Sequence, residues 1–307
     1  MSEGNIMKVL VYGRKKPVYP YKLTTAERLC IENNWTFTFC YQKVWEYIES
    51  SKAKDTCLIR YGKWTMPHYD NYFPIVLNKG YSIWRNANKL ISVPLLERNK
   101  INIPKHFFYK DSITKEDLPV LGRKFNHSRG TDIIYTDSLE QLRKDSSEYW
   151  VKFIPSIAEF RVIVFLNKCI RVTKKVPRTN NYDEKIRSFK RGWRFKDLGY
   201  LDFQEEHEIE YLTEAIKQSI RAMKILELDF GAVDILIDKD YNPVVLEVNS
   251  SPHLNKYGRQ LFSYYVRTKV LKEDVDYTEY SRLRIRKCRP NRYFPKFRDI
   301  RKISNED

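Results

Sequence analysis

The sequence predicts an α/β fold at its N-terminal end that passes into an α+β arrangement, and three features carry that expectation. Strand-like and helix-like runs alternate over the first 80 or so residues. Paired apolar runs joined by short turns follow at 149–176 and 231–249. Between those pairs lies one long amphipathic stretch, 205–227, with Ile209, Leu212, Ile216, Ile220 and Met223 at three- to four-residue spacing.

In chain order, residues 6–12 (IMKVLVY) read as a buried strand. Thr24-Thr25-Ala26-Glu27 has the spacing of a capping box, which places a helix start there and a helix through about Asn33. The aromatic and β-branched run 35–41 reads as strand, 43–52 as helix and 57–61 as strand, a βαβα order that calls for a parallel sheet. The turn after the first strand is GRKKPVYP and lacks a glycine fingerprint, which argues against a dinucleotide site there. The Pro- and aromatic-rich stretch 62–76 reads as irregular, and 86–99 has helical spacing. Strand-like runs follow in LPVLGRK, TDIIYT, YWVKFI, EFRVIVFL and CIRVTKKV, the last two joined by a tight turn at Asn167-Lys168. Residues 231–237 and 243–249 form a second hairpin around the turn-rich DKDYN.

The chain has 307 residues, 42% apolar and 14% aromatic, enough for a substantial core and about two domains. Its 56 Lys and Arg against 39 Asp and Glu leave +17, which attracts anions without choosing among nucleotides, acidic peptides and nucleic acid. Five scattered cysteines show no zinc or disulfide spacing, the start shows no signal-peptide pattern, and no apolar run reaches the length of a membrane span. A cytoplasmic protein with reduced thiols and no membrane partner is the expectation.

The most informative segment is GAVDILIDKDYNPVVLEVNSSP, 231–252. Alternation along a strand projects Glu247 and Asn249 from one face, with Leu246 and Val248 on the other, and the hairpin partner brings Asp234 beside them. Two carboxylates and an amide are hard oxygen donors suited to Mg²⁺, with Mn²⁺ the alternative. A hairpin whose polar residues face water explains the same residues. The apolar weight on both strands (Val233, Ile235, Ile237, Val244, Leu246, Val248) decides for a metal, because a buried acid needs a partner. In PVLGRKFNHSRGTDII, 119–134, a strand enters a turn bearing Gly130 whose backbone N–H groups can cap a phosphate, with Arg123 or Lys124 in reach; an ordinary hairpin fits that segment equally.

In this order, over about residues 88–258, the segments resemble the ATP-grasp superfamily and its RimK-like branch of carboxylate–amine ligases. The resemblance implies an ATP-grasp fold preceded by a parallel-sheet domain. On that basis 1–85 is the N-terminal domain, 86–270 the ATP-grasp domain (about 90–150 clamping ATP, 151–270 binding metal) and 271–307 a basic tail. It makes Lys89, in NKLISVPLLERNKINIP, the first phosphate-binding lysine. It gives Arg123, Lys124 and Gly130 to the triphosphate loop, and Lys152, Phe153 and Ile154 to the strand lining the adenine. Glu159 and Arg161 fall in an acid-x-Arg strand, and Asp234, Glu247 and Asn249 are the metal ligands. Arg123 stands where the family has a lysine and Lys152 where it has Glu. Pro94 sets the expectation that the helix begins near Ser92, with Lys89 ahead of it.

The activity so implied is ATP-dependent joining of a carboxylate to an amine through an acyl phosphate, with Mg-ATP held between two subdomains. Lys89, Arg123 and Arg161 offset phosphoryl charge, while Lys174, Lys175, Arg178 and Arg187 hold an anionic acceptor or the reacting carboxylate; a solvent-facing basic loop accounts for these last four equally. The substrates would be small or peptide carboxylates and amines, including an acidic protein acceptor. Two other classes stay open: an ATP-grasp kinase of a polyanionic polyol, and a binding module whose basic, aromatic-bearing tail (281–302) grips nucleic acid.

Overall fold

The computed structural model describes residues 7–14, 23–125, 133–198 and 206–275. Gly130 and the basic tail 281–302 therefore lie outside the described residues.

The N-terminal sheet has the order β2-β1-β3-β4, with β1 Lys8–Gly13, β2 Thr36–Thr38, β3 Thr56–Tyr61 and β4 Ile75–Leu77, all parallel. Helix α1 (Thr25–Asn33) starts at the expected capping box: Thr24 accepts from the Glu27 N–H while the Glu27 carboxylate accepts from the Thr24 N–H. The run read as strand over 35–41 pairs over only three residues. The Thr38 hydroxyl accepts from the Cys40 N–H and turns the chain into helix α2 (Tyr41–Glu49), earlier than the expected 43–52. Strand β4 overlaps the end of the stretch read as irregular, because three apolar residues are too few to show a period.

The segment of helical spacing at 86–99 resolves into α3 (Gly80–Ala87) and α4 (Lys89–Arg98), broken at Asn88, whose side chain caps α4 by accepting from the Leu90 N–H. The expectation that Pro94 delays the helix to Ser92 is corrected: α4 starts at Lys89 and runs through Pro94. The carbonyl that loses a partner is that of Leu90, an exposed residue, so water can replace the missing N–H.

A second sheet, order β5-β8-β6-β7, is antiparallel and comprises β5 His106–Phe107, β6 Val120–Arg123, β7 Ile134–Thr136 and β8 Tyr149–Lys152, with α5 (Leu139–Lys144) between β7 and β8. The third and largest sheet, also antiparallel, has the order β11-β10-β9-β12-β13, from β9 Ser156–Phe165, β10 Lys168–Pro177, β11 Trp193–Asp197, β12 Phe230–Asp238 and β13 Pro243–Asn249. The turn between β9 and β10 is Leu166-Asn167, one residue earlier than expected; both carry positive φ (45° and 60°), which matches the right-handed twist of a hairpin. Strand β11 has no counterpart in the sequence reading.

The middle of the third sheet is buried on both faces. On one, Phe160, Val162, Val164, Val233 and Ile235 pack under α6 (Glu206–Ile225) through Leu212, Ala215 and Met223. On the other, Ile163, Phe165, Phe230 and Ala232 share a core with Val9, Val11 and Ile59 of the N-terminal sheet and with Phe262 of α7 (Lys256–Tyr265). Asn78, left-handed at φ 58°, locks this junction. Its side-chain oxygen accepts from the Asp229 and Phe230 N–H groups, and its amide donates to the Phe230 carbonyl. That anchoring fixes the strands carrying the charged residues considered next.

Candidate active site

Cross-strand register, a property distant in sequence, assembles the site. Arg161 of β9 stands opposite Asp234 of β12, and Asp234 stands opposite Glu247 of β13. Three charges from residues 161–247 are thereby set side by side on the face directed toward the N-terminal sheet's side. A β-bulge follows at once: Ile235 pairs with Val245, which leaves Leu246 as the extra residue. The strict alternation expected through 244–249 is thus interrupted, and Val245 and Val248, three apart, both reach the helix-side core. Glu247 and Asn249 keep the common face.

Arg161 donates from Nε to one Asp234 oxygen (2.6 Å) and from Nη2 to the other (2.7 Å), a bidentate fork. Burial pushes the Asp234 carboxyl up, but the Arg161 charge and fork, with Lys175 and Arg123 behind them, hold it below the usual carboxylate range. Lys175 pairs with Glu159, both nearly buried, and the guanidinium of Arg123 lies 3.7 Å from Glu247. Lys89, the first residue of α4, faces Glu247; burial lowers its pKa, Glu247 raises it and Arg123 lowers it further. The site thus gathers four cations, Lys89, Arg123, Arg161 and Lys175, about three carboxylates, Glu159, Asp234 and Glu247. An anionic ligand would balance that excess.

The remaining expected residues fall in different places. Arg187 stacks on the Trp193 ring (4.9 Å) and donates to the Ser156 carbonyl, at the β11 end of the same sheet. Lys174 is separated from the cluster: it pairs with Phe160 rather than Glu159, and its ammonium lies 6.0 Å from that ring on the helix-side face. Two neighbouring lysines on a strand cannot face the same way. Lys152 donates to the carbonyls of Glu116, Asp117 and Leu118, so its ammonium secures that turn. Phe153 and Ile154 lie in the crossing from β8 to β9, with Phe153 edge-on to Tyr135 (5.3 Å). Lys124 is exposed just past β6, and Arg178 sits over Phe189.

Several site residues escaped the sequence reading. His106 and Tyr149 stack at 6.4 Å and 10° beside Arg123; burial pushes His106 down to about 4 against a Pro104 backbone bond, and the Lys89 and Arg123 charges add to the shift. Phe195 lies under Arg161 and Lys175. The alternating Trp193-Arg194-Phe195 after Gly192 is a period-two signal for an edge strand that the surrounding basic residues obscured.

The donor chemistry fits a hard divalent cation. Glu247 lies 3.7 Å from Arg123 and faces Lys89, and Asn249 and Asp234 offer oxygens beside it, although Asn249 already accepts from the Ser251 N–H and Asp234 from Arg161. Each of those oxygens has a second lone pair, so sharing is allowed. Among the described residues no three His, Cys, Asp or Glu side chains gather as a metal cage, so water and ligand oxygens would complete the shell, as Mg²⁺ prefers.

Comparison with known proteins agrees with this architecture. A family model for the RimK-like ATP-grasp domain matches residues 204–268, which include α6, β12, β13 and α7. A probable alpha-L-glutamate ligase of Maridesulfovibrio salexigens is 28% identical over 194 residues, 58% of this chain and 60% of that protein's length. Among solved structures, D-alanine–D-alanine ligase from Bacillus anthracis superimposes with a TM-score of 0.62 at 15% identity, over 84% of this chain and 91% of that one. The ATP-grasp ligase PsnB, complexed with a minimal precursor, Mg and ADP, gives 0.56 at 15% identity, over 82% and 91%. No helix among the described residues is long and apolar enough to cross a membrane. The chain thus has the fold of the ATP-grasp ligases, and its segment 204–268, which carries Asp234, Glu247 and Asn249, is similar to the RimK-like ATP-grasp domain.

Proposed function

We propose that the protein is an ATP-dependent carboxylate–amine ligase that activates its carboxylate as an acyl phosphate. One observation carries this reading: Arg161, Asp234 and Glu247 stand in direct cross-strand register, with Lys89 and Arg123 brought against them from separate elements. A Mg²⁺ ion held by Glu247, Asn249 and Asp234 would neutralise charge on the ATP phosphates. Lys89 and Arg123 approach from the side of α4 and β6 and would hold the phosphate oxygens. Arg161, with Nε and Nη2 committed to Asp234, has its Nη1 amino group left to donate to an oxygen of the reacting carboxylate. Phe153 and Ile154, at the crossing between two sheets, would flank the adenine. The chain's own contribution is thus positioning and preorganised charge, which suits phosphoryl transfer, where little covalent chemistry falls to the protein.

A glutamate ligase and a precursor-bound ligase support glutamate as the carboxylate or amine and a peptide as acceptor. The basic segment from Lys174 to Lys196 suits an acidic one.

The test begins with thermal stability. Mg-ATP at about 100 times its dissociation constant should stabilise wild type by roughly 2.7 kcal/mol, and Glu247→Ala and Asn249→Ala should abolish the magnesium-dependent part. ADP release is then followed with L-glutamate and a panel of amines and acidic peptides. Release that needs both carboxylate and amine supports the ligase. Release with a phosphorylated polyol alone would replace it by a kinase, and no stabilisation by any nucleotide would remove both.

A further inference from the structure

Arg161 and Lys175 share one face of the third sheet and repel one another, and ion pairs account for only part of what orders them. The rest comes from β11. This edge strand pairs with β10 so that Phe195 stands opposite Lys175, and it turns Trp193 and Phe195, two residues apart, onto the site face. The centre of the Arg161 guanidinium lies 4.1 Å above the centroid of the Phe195 ring, and the Lys175 ammonium lies 5.3 Å from the same centroid. Both lie within the range where the negative face of a ring attracts a cation.

The two aromatic residues differ in what else they hold. Trp193 carries Arg187 but also donates its indole N–H to the Asp183 carbonyl and packs edge-on against Tyr182, so it secures the loop between β10 and β11. Phe195 is half-buried, and its stacked contacts are with Arg161 and Lys175. We propose, resting on the ligase reading above, that Phe195 is a positioning residue: its ring holds Arg161 and Lys175 at a fixed height and spacing, so that both meet the same substrate anion.

The geometry gives this a specific form. Asp234 fixes the guanidinium within its plane, through a fork that engages Nε and Nη2. A fork restrains tilting out of that plane least, and the Phe195 ring, 4.1 Å from the guanidinium centre, lies where it can oppose that tilt. Lys175 is held at one end by Glu159 and at its underside by the same ring. A side chain of similar volume without a π face would fill the space yet let the two like charges separate. The effect therefore tracks aromaticity and not size.

The full-length protein tests this with Phe195→Leu, Phe195→Tyr and Phe195→Trp. The Arg161 Nε–Hε resonance, assigned by its loss in Arg161→Lys, reports stacking through the ring current and needs no ligand. Inorganic tripolyphosphate with Mg²⁺ probes the anion site, and ADP release with L-glutamate and an amine probes turnover. Expected is a resonance shifted out of the ring current in the Leu variant, with tripolyphosphate affinity at least fivefold weaker and kcat about tenfold lower. The KM for ATP should stay within twofold, and Tyr and Trp should restore all three properties at equal thermal stability. An unmoved resonance in the Leu variant overturns the proposal, as does a Tyr variant as impaired as Leu. If wild type binds no Mg-ATP, the ligase reading falls while the resonance still decides whether Phe195 fixes Arg161.

Discussion

Replacing Asp234 by Asn tests the centre of the site, since it removes one charge and little volume. The wild-type fork comprises two charge-assisted hydrogen bonds, at 2.6 and 2.7 Å, between side chains about one-fifth exposed. An asparagine oxygen can still accept from Nε, but its amide then faces Nη2, donor against donor. The variant therefore loses one bond and leaves the guanidinium without its closest counter-charge. Breaking a fully buried pair costs about 3–5 kcal/mol. Partial exposure, and the nearby carboxylates of Glu159 and Glu247, bring the expectation down to about 2–3 kcal/mol.

With an unfolding entropy of about 2.1 cal/mol/K per residue, a chain of this length should lose about 4 °C in Tm. Urea unfolding of wild type, Asp234→Asn, Arg161→Met and the double variant measures both the cost and the coupling, which should reach at least about 1.5 kcal/mol. The sign with pH is fixed by the direction of the shift. A depressed folded pKa gives stability that is fully present above the unfolded value of about 3.9 and is lost as pH falls through the lower folded value. A loss below about 0.5 kcal/mol in Asp234→Asn, or a coupling near zero, would refute the argument that the fork organises the site.

Three further outcomes follow from the same geometry. His106, pushed down to about 4, must take up a proton on unfolding between that value and about 6.5, so stability should fall by up to about 2–3 kcal/mol as pH drops through this window; His106→Phe should flatten the decline in urea midpoints. Gly62→Ala should destabilise by about 2 kcal/mol or more, because Gly62 is left-handed (φ 74°) and an added Cβ would sit 2.6 Å from that of Ser251, in the loop after Asn249; chemical unfolding measures it. Lys175→Met should lower ADP release at least tenfold while Lys174→Met stays within twofold, since only Lys175 joins the Glu159 and Phe195 contacts.

How much of this was legible in the sequence depends on how far apart the interacting residues lie. The capping box at Thr24 and Glu27 is a contact over three residues and needs only local spacing. The hairpin carrying Asp234, Glu247 and Asn249 is nearly as local, and its apolar flanks keep a period of two along β12, although the bulge at Leu246 breaks it in β13. Pro94 misled because propensity weighs the missing N–H without knowing that the orphaned carbonyl belongs to an exposed residue. Strand β11 was hidden because its two rings alternate with two basic residues inside a longer basic stretch, although the rings are what it turns inward.

The Lys174–Lys175 pair shows what decides such cases. Alternation alone says that one of the two faces the site, but only the pairing of Lys174 with Phe160 says which. Register is fixed by contacts between strands, so it is set once the β9 core residues have chosen their face, Phe160 and Val162 under α6 and Ile163 and Phe165 toward the N-terminal sheet. The charges of Glu159 and Arg161 then take the only positions left, on the face shared with Ile163. On this view the hydrophobic cores on the two sides of the third sheet aim the charges of the candidate site, and a one-residue slip of β9 would bury Arg161 beneath α6 and dismantle that arrangement before any charged residue had been changed.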